Sequence, residues 1–257
     1  MLRPKKRLGQ HFLTDRNIAF RITENIKATD YNKLIEVGPG KGILTGFLLE
    51  RKELEVLAVE IDHDAVEYLL NKWPGLDGIL KEADFLSLDL QKEYGDRFGI
   101  IGNFPYNISS QIFFKVLEYK DNCREVVCMI QKEVADRIIS PPGNKTYGIL
   151  SVLLQTWYKI DPLFTVNPGS FFPPPEVRSS VIRLVRNERE ELPVEQAFFT
   201  RLVKVAFNQR RKMLRNSIKS FFNSEIKDNP VLTKRPEQLS VEEFLELAVW
   251  VSEQNKK

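Results

Sequence analysis

Residues 101–111 read IIGNFPYNISS, an apolar run that ends in an amide, two aromatic side chains and a proline. A side-chain amide oxygen accepts hydrogen bonds, and an aromatic ring offers a flat surface on which a base can stack. Asn103, Phe104, Pro105 and Tyr106 are therefore candidates for a site that holds a flat polar ring. A strand cap followed by a turn would use the same residue types, so other segments must decide between the two interpretations.

A second candidate is the glycine-rich segment LIEVGPGKGILT, which lies between an apolar run and a helical pattern. Gly38, Gly40 and Gly42 let the backbone turn tightly and approach a ligand, and the following helix offers free N–H groups. The spacing is G-x-G-x-G. It differs from the G-x-G-x-x-G of dinucleotide-binding enzymes because Ile43 stands in place of the third glycine. By itself the segment fits a nucleotide-binding turn and a structural turn equally well.

Acidic residues follow the next two apolar runs. Glu60 comes about 20 residues after the glycine turn, where an acidic side chain can accept hydrogen bonds from both ribose hydroxyls. Asp84 could accept a hydrogen bond from an adenine amino group, and Phe85 could flank the ring. Three consecutive strand ends therefore predict a ligand that contains adenosine. The absence of the dinucleotide spacing favours S-adenosylmethionine.

A bound methyl donor would give residues 103–106 a chemical role. The exocyclic nitrogen of adenine is a poor nucleophile because its lone pair is delocalised into the ring. The Asn103 side-chain oxygen and a backbone carbonyl within 103–105 could bind its two hydrogens, and Pro105 would fix the chain so that this carbonyl faces the site. Tyr106 could stack on the base. We predict catalysis by orientation and electrostatic preorganisation, without a covalent intermediate.

The apolar runs that precede these residues predict an α/β fold. Helical patterns at 15–28, 43–51, 63–72 and 109–119 separate the early members of a series of β-type runs at 33–37, 54–61, 78–83, 97–103, 124–130 and 179–185. This alternation predicts a parallel, Rossmann-like sheet covered by helices, with ligands beyond the carboxyl ends of the strands. The β-type runs end near residue 186. We therefore predict a catalytic domain over 1–186, which includes the basic N-terminal segment, and a small all-α domain over 187–257.

Composition excludes several classes of protein. The chain has two cysteines and two histidines among 257 residues, without zinc-ligand spacing or a disulfide framework, so we expect no metal site. No apolar run is long enough to span a bilayer, and no apolar segment follows the basic N-terminus. We therefore expect a cytoplasmic protein that does not contact a membrane.

Two basic stretches contain no acidic residue, at 1–8 and at 201–224. In the second stretch, side chains that recur every three or four residues would share one face of a helix: Arg201, Lys204, Asn208, Arg211 and Arg215. Such a face is either solvated or in contact with phosphate. The net charge of +3 does not decide between the two interpretations.

Nine segments, taken in order, resemble the ribosomal RNA adenine N6,N6-dimethyltransferases: RLGQHFL, EVGPGKGILT, EID, ADFL, GNFPYNISS, QKEVADR, YGILSV, SFFPPPEVRSSVIRL and AFNQRRKMLRNS. The resemblance covers nearly the whole chain, and GQHFL and AFNQRRKMLRN are its most specific parts. It implies a class I S-adenosylmethionine-dependent methyltransferase that dimethylates two adjacent adenosines near the 3′ end of small-subunit rRNA. It also implies a maturing small ribosomal subunit as substrate, and we expect a monomer.

The resemblance also assigns roles by position. It implies a donor site that comprises His11, Leu13, Gly38, Glu60, Asp84 and Asn103, beside Gly40 and Phe85. His11 stands where many relatives have Asn, and Phe104 replaces the more usual Leu. Phe171 would be the second wall of the base pocket, opposite Tyr106, although the prolines that follow it also fit a rigid connector. Phosphate contacts would come from Arg201, Lys204, Arg211 and Arg215.

Three alternatives remain open from the sequence. The erythromycin-resistance methyltransferases share NFPYN-like and PxPxVxS motifs but modify large-subunit rRNA, and QKEVADR and AFNQRRKMLRN argue against them. A non-catalytic assembly factor could bind immature small subunits through the basic surfaces alone. A nicotinamide-dependent dehydrogenase is disfavoured by the glycine spacing.

Overall fold

The computed structural model describes residues 2–222 and 228–254, so Met1, residues 223–227 and the last three positions of the chain lie outside the described residues. The strands are β1 (Phe12–Leu13), β2 (Lys33–Val37), β3 (Glu55–Glu60), β4 (Leu80–Glu82), β5 (Phe98–Asn103), β6 (Cys123–Gln131), β7 (Tyr158–Val166), β8 (Phe171–Phe172) and β9 (Ser179–Arg186). The α-helices are α1 (Arg16–Thr23), α2 (Ile43–Leu48), α3 (His63–Lys72), α4 (Leu90–Tyr94), α5 (Ser109–Glu118), α6 (Lys132–Ile139), α7 (Ile149–Trp157), α8 (Gln196–Asn208), α9 (Leu214–Ser217) and α10 (Val241–Gln254). No helix in these ranges is both long and apolar enough to cross a bilayer.

Seven strands form one sheet in the order β4-β3-β2-β5-β6-β9-β7. The pairs from β4 through β6 are parallel, and β9 joins β6 in antiparallel orientation. The parallel part has the strand order of a Rossmann fold. From β2, the chain adds strands first on one side (β3, β4) and then on the other (β5, β6), so the order of the strands reverses between β2 and β5. This arrangement confirms the predicted α/β fold and places the predicted ligand edge at that reversal.

The central strands are continuous apolar runs because neighbours cover them on both sides. In β5, every residue is buried except the last, Asn103, which is partly exposed. β5 pairs with β2 on one side and with β6 on the other, so its backbone is hydrogen-bonded along both edges. The strand therefore positions Asn103 at the carboxyl edge of the sheet and holds it there on both sides.

The strand β7 has no counterpart among the predicted runs. It contains Asp161 and Pro162, which break the apolar alternation, and most of its residues are partly or fully exposed. β7 lies at the edge of the sheet, where a proline is tolerated because one side of the strand needs no partner.

A separate two-stranded sheet joins distant parts of the chain. β1 and β8 pair antiparallel, with Phe12 opposite Phe172 and Leu13 opposite Phe171. The Thr14 amide donates to the Ser170 carbonyl at 2.8 Å and continues the pairing beyond the strands. The short sheet thus fixes the segment that begins with His11 against the proline-rich segment.

The chain divides into two compact units. One comprises Met1–Ala135 and Lys159–Arg186, and the other comprises Asp136–Tyr158 and Asn187–Lys257. The second unit is helical: α8 packs against α7, α9 and α10. It includes residues 136–158, which the sequence analysis assigns to the catalytic domain, so the domain division at residue 186 stays a proposal.

The predicted basic helix face is wrong as a single helix. α8 ends at Asn208, and Gln209 leaves the helical conformation with φ −118° and ψ 45°. Arg211 lies in the turn that follows, and Arg215 belongs to the separate short helix α9. Three successive cations, Arg210, Arg211 and Lys212, therefore lie beyond the end of α8.

Candidate active site

A cavity of about 290 Å³ opens at the carboxyl edge of the sheet. The ends of β2, β3 and β5 supply three parts of its wall: the glycine turn, Glu60 and residues 103–106. The cavity therefore lies where an α/β sheet binds its ligand.

Most of the predicted site residues line this one cavity. The predicted residues in its wall are His11, Leu13, Gly38, Gly40, Glu60, Asp84, Phe85, Asn103, Phe104, Pro105 and Tyr106. Phe171 is not in the wall. These residues come from five separate stretches of the sequence, and the fold brings them to one place.

The glycine turn has a conformation that other residues rarely adopt. Gly38, Gly40 and Gly42 have φ of +68°, +55° and +72°, in the left-handed region. A Cβ at Gly42 would also lie 2.3 Å from Cζ3 of Trp73, so this position has no room for a side chain. At Gly38 and Gly40, which line the cavity, the wall is therefore backbone.

Glu60 is a buried carboxylate held by the backbone. Its Oε2 accepts the Gly40 amide at 3.0 Å, and its Oε1 accepts the amides of Ile61 and Asp62, each at 3.0 Å. A carboxylate has about four acceptor positions, so these three bonds orient it and leave it able to accept from a ligand. Burial raises the pKa of Glu60. The same side chain thus ties the glycine turn to the end of β3.

Asp84 and Phe85 form the adjacent wall. The Asp84 side chain is exposed, and its Oδ1 accepts the Leu86 amide at 2.9 Å, which caps a short 3-10 helix. Phe85 is buried and also lines the cavity. A polar acceptor and an apolar ring therefore lie side by side after β4.

The amide nitrogen of Asn103 makes a hydrogen bond, whereas its amide oxygen makes none within the described residues. Its Nδ2 donates to the His11 carbonyl at 2.9 Å. Its Oδ1 is buried and makes no hydrogen bond with any residue in the described ranges. A buried polar atom without a partner costs free energy, so other interactions of the folded chain must offset this cost. An incoming N–H donor in the cavity would satisfy this oxygen.

The residues after Asn103 narrow the choice of a second acceptor. The Phe104 amide donates to the Met129 carbonyl at 3.0 Å, which continues the strand pairing by one residue. The Pro105 carbonyl already accepts the Ile108 amide at 3.2 Å. Of the carbonyls of Phe104 and Pro105, that of Phe104 is therefore the better candidate for the second acceptor. The Phe104 side chain is fully buried against the ring of Phe113, so it packs in the core.

Tyr106 is held at both ends of its side chain. Its hydroxyl hydrogen-bonds with Oγ of Ser179 at 2.5 Å, and its ring stacks on His11 with centroids 5.3 Å apart. Nδ1 of His11 in turn donates to the Pro173 carbonyl at 2.8 Å. Ser179, a residue that the sequence analysis does not single out, therefore orients the predicted stacking ring.

Phe171 does not line the cavity, although it pairs across the short sheet with Leu13, which does. It is buried in an apolar cluster together with Leu13, Ile22 and Val166. Its predicted role as a second wall for the base stays a prediction. Its neighbour Phe172 faces the other side of the short strand and is exposed.

A pair of polar contacts that holds the N-terminal segment was not predicted from the sequence. Asp62 is buried, and its two oxygens accept Nζ of Lys5 at 2.5 Å and Nε2 of Gln10 at 2.9 Å. Because Asp62 follows Glu60 by two residues, these contacts tie residues 5–10 to the end of β3. The signal in the sequence is that of an ordinary cap, since Asp62 also caps α3.

Glu36 is a further carboxyl group at the cavity. It lies on β2 and is only 1% exposed, and its Oε2 makes no hydrogen bond within the described residues. Burial, and secondarily the charge of Glu60, raise the pKa of Glu36 to about 7. In an acid with a raised pKa, the folded state holds a proton that the unfolded state has already lost.

We predict that Glu36 makes the protein less stable as the pH rises from about 4.5 to about 7. Below this range both states are protonated, and above it both are charged, so the loss is confined to the range itself. Its size is on the order of 3 kcal/mol at most. Urea unfolding of the wild type and of Glu36→Gln at pH 5, 6 and 7.5 measures it. Parallel pH dependences for the two proteins would contradict the assignment.

The four predicted phosphate contacts all lie in the helical unit. Arg201 and Lys204 are exposed on α8, and the Arg201 guanidinium lies 5.1 Å from the ring centroid of Phe221. Arg211 is exposed in the turn. Arg215 is exposed and pairs with Asp228 at 2.6 Å. Within the described ranges, no group of three or more histidines, cysteines or acids is placed to hold a metal ion.

Comparison with protein families gives a match over almost the full chain. The sequence profile described as ribosomal RNA adenine dimethylase matches residues 1–253. A protein of Parabacteroides distasonis named ribosomal RNA small subunit methyltransferase A is 50% identical over 251 residues, which is 97% of this chain and 94% of that protein.

Solved structures give the same fold. A dimethyladenosine transferase from Plasmodium falciparum superposes with a TM-score of 0.77 at 23% identity, over 95% of this chain and 98% of that chain. The rRNA methyltransferase ErmE, which acts on 23S rRNA, has a TM-score of 0.66 at 26% identity, over 91% of this chain and 98% of that chain.

Proposed function

The chain belongs to the ribosomal RNA adenine dimethylase family, and from this premise we propose that it dimethylates small-subunit rRNA. The methyl groups would pass from S-adenosylmethionine to the N6 amines of two adjacent adenosines near the 3′ end of that RNA. The product would be N6,N6-dimethyladenosine, formed while the small subunit matures. The single observation that carries the chemistry is the buried, unpartnered Oδ1 of Asn103 at the cavity.

The residues present fit the proposed donor. S-adenosylmethionine, when bound, supplies an electrophilic methyl group on a sulfonium. Glu60 would accept hydrogen bonds from the ribose, and Asp84 with Phe85 would hold the donor's adenine. The glycine turn would let the backbone approach the donor closely. Glu36 gives the cavity a carboxyl group that can favour a cationic ligand.

The acceptor base would be positioned by the other half of the cavity. The Asn103 Oδ1 and the Phe104 carbonyl would accept the two hydrogens of the target amine. Two acceptors on one nitrogen draw it out of conjugation with its ring, so that its lone pair is directed at the methyl group. Tyr106, oriented by Ser179, would stack on the base, which must leave its own stack to enter the site.

The decisive experiment offers the purified protein each ribosomal subunit separately, with labelled S-adenosylmethionine. The subunits are taken from cells that lack the dimethylase, so that the target adenosines are free. We expect label on the small subunit only, in two adjacent dimethyladenosines located by mass spectrometry. Label confined to the large subunit would favour the runner-up, an ErmE-like activity on large-subunit rRNA. Subunit binding without label would favour a non-catalytic assembly factor.

We also propose that the protein acts as a monomer in the cytoplasm, on small subunits that are still maturing. Only the maturing subunit draws support from the proposed substrate, since the target nucleotides must be accessible to the enzyme. Light scattering of the purified protein tests the oligomeric state, and a mass near twice that of the chain would contradict it.

Basic residues of the helical unit are the proposed phosphate contacts. We predict that replacing both Arg211 and Arg215 with glutamate weakens binding to small subunits. The slope of log K against log salt concentration should fall by about 0.7–0.9 for each phosphate that the variant no longer binds. The matched control is the double replacement of Lys52 and Lys92 with glutamate, at exposed positions of the other unit and with the same charge change. Equal affinities and slopes for the two double variants would mean that the arginines are merely solvated.

A further inference from the structure

Phe172 is a large apolar side chain that the fold leaves exposed beside the candidate active site. It is 55% exposed, whereas Phe171 is 4% exposed, because successive residues of a strand face opposite sides. An exposed aromatic ring forfeits hydrophobic stabilisation that burial would provide. Phe172 is not part of the cavity wall, so binding of the methyl donor does not account for it.

The exposure of Phe172 is built into the backbone. On one side, the Ser170 carbonyl accepts the amide of Thr14 at 2.8 Å and its hydroxyl at 3.0 Å. On the other side, the Pro173 carbonyl accepts Nδ1 of His11 at 2.8 Å, and Phe172 itself pairs with Phe12. The chain is therefore tied down before and after Phe172. The ring is presented to solvent from a fixed position.

One lysine lies over this ring, and a second lysine lies beside the backbone of the first. Nζ of Lys41 lies 5.5 Å from the centroid of the Phe172 ring and 5.1 Å from that of Phe12. Nζ of Lys72 donates to the Lys41 carbonyl at 3.3 Å. Neither lysine forms an ion pair with a carboxylate in the part of the chain that the structure describes. Partial burial, and secondarily the charge of Arg16, lower the pKa of Lys72. Lys41 therefore places a positive charge beside the exposed ring.

We propose that Phe172 and Lys41 bind an rRNA nucleotide that flanks the target adenosine. Its base would stack on the exposed ring of Phe172, and a phosphate would pair with the Lys41 ammonium. An aromatic platform beside a cation that has no carboxylate partner is the combination that binds single-stranded nucleic acid. Lys41 also lines the cavity, so the contact borders the site of the chemistry. The proposal rests on the proposed function and specifies which part of the RNA is held next to the target.

The test compares Phe172→Ala and Phe172→Trp with Phe114→Ala, which truncates another exposed phenylalanine on α5. Lys41→Gln is compared with Lys52→Gln, which removes the same charge at an exposed position elsewhere. For each protein we measure the melting temperature, the Kd for unmethylated small subunits, the Kd for a short single-stranded adenosine-containing RNA, and the Kd for S-adenosylmethionine.

We expect Phe172→Ala to raise both RNA Kd values about tenfold, with the Kd for S-adenosylmethionine unchanged. Phe172→Trp should restore RNA binding, and Phe114→Ala should bind like the wild type. Lys41→Gln should lower the salt dependence of RNA binding by about 0.7 in log–log slope relative to Lys52→Gln. Wild-type RNA affinity in Phe172→Ala, or a loss of donor affinity in place of RNA affinity, would overturn the proposal. If the wild type transfers no methyl group, the proposed function fails, while the RNA Kd values still decide on the Phe172 contact.

Discussion

Replacing Asn103 with alanine is expected to lower kcat for methyl transfer by about 10²–10³-fold or more, because it removes a preorganised partner of the reacting amine. In the wild type, the Oδ1 of Asn103 is buried without a partner among the described residues, so no rearrangement is needed for it to accept a hydrogen from the substrate. Binding of small subunits should be preserved, since the contact is a small part of the RNA interface. Single-turnover rates at saturating donor and subunit separate the two effects.

Asn103→Asp is the informative companion variant. It keeps an oxygen acceptor but loses the Nδ2 donor that bonds to the His11 carbonyl at 2.9 Å. We therefore expect it to keep more activity than Asn103→Ala while weakening the hold on the N-terminal segment. Equal methyl transfer by the wild type and Asn103→Ala would show that the oxygen has no catalytic role.

Replacing Glu60 with glutamine is expected to raise the Kd for S-adenosylmethionine by about 10–100-fold. Hydrogen bonds to a charged group contribute about 1.5–3 kcal/mol, and the ribose bonds would lose the carboxylate. Glu60 accepts the backbone amides of Gly40, Ile61 and Asp62. The NH₂ group of glutamine would face one or more of these donors and could not bond with them. Isothermal titration calorimetry measures the change directly.

Glu82→Gln is the matched control for Glu60→Gln. Glu82 ends the neighbouring strand β4, is exposed, and pairs with His63 outside the cavity. It should bind S-adenosylmethionine like the wild type. If Glu60→Gln binds S-adenosylmethionine with the wild-type Kd, Glu60 does not bind the ribose. If the Kd is raised in both variants, the cause is a general electrostatic effect of the lost negative charge.

The central sheet was predictable because its strands are buried on both faces and therefore read as apolar runs. The run at 33–37 coincides with β2, and the run at 97–103 begins one residue before β5. The edge strand β7 and the two-residue strands β1 and β8 were not predicted, for two different reasons. β7 carries a polar residue and a proline in its middle, and β1 and β8 are too short for any periodicity.

The cavity was predictable where its residues follow strands, because parallel strands deliver their carboxyl ends to one edge. Residues that act through hydrogen bonds across the fold were not. Ser179 and Asp62 look like an ordinary strand residue and an ordinary helix cap, and only the structure brings them to Tyr106 and Lys5. The helix break after Asn208 was missed because the three-to-four-residue spacing of the basic side chains continues through it.

The small sheet of β1 and β8 has a consequence for the order of folding. Phe12 pairs with Phe172, so the pairing closes a loop of about 160 residues, and contacts of such long sequence separation form late. During synthesis, the N-terminal segment must wait for its partner strand to leave the ribosome. The pairing of Phe12 and Leu13, and the hydrogen bond from His11 to the Pro173 carbonyl, would then form only after most of the catalytic chain has been made. A nascent chain shorter than that would have the glycine turn and Glu60 but no finished donor site, so competence to bind the donor would arise as one of the last steps of folding.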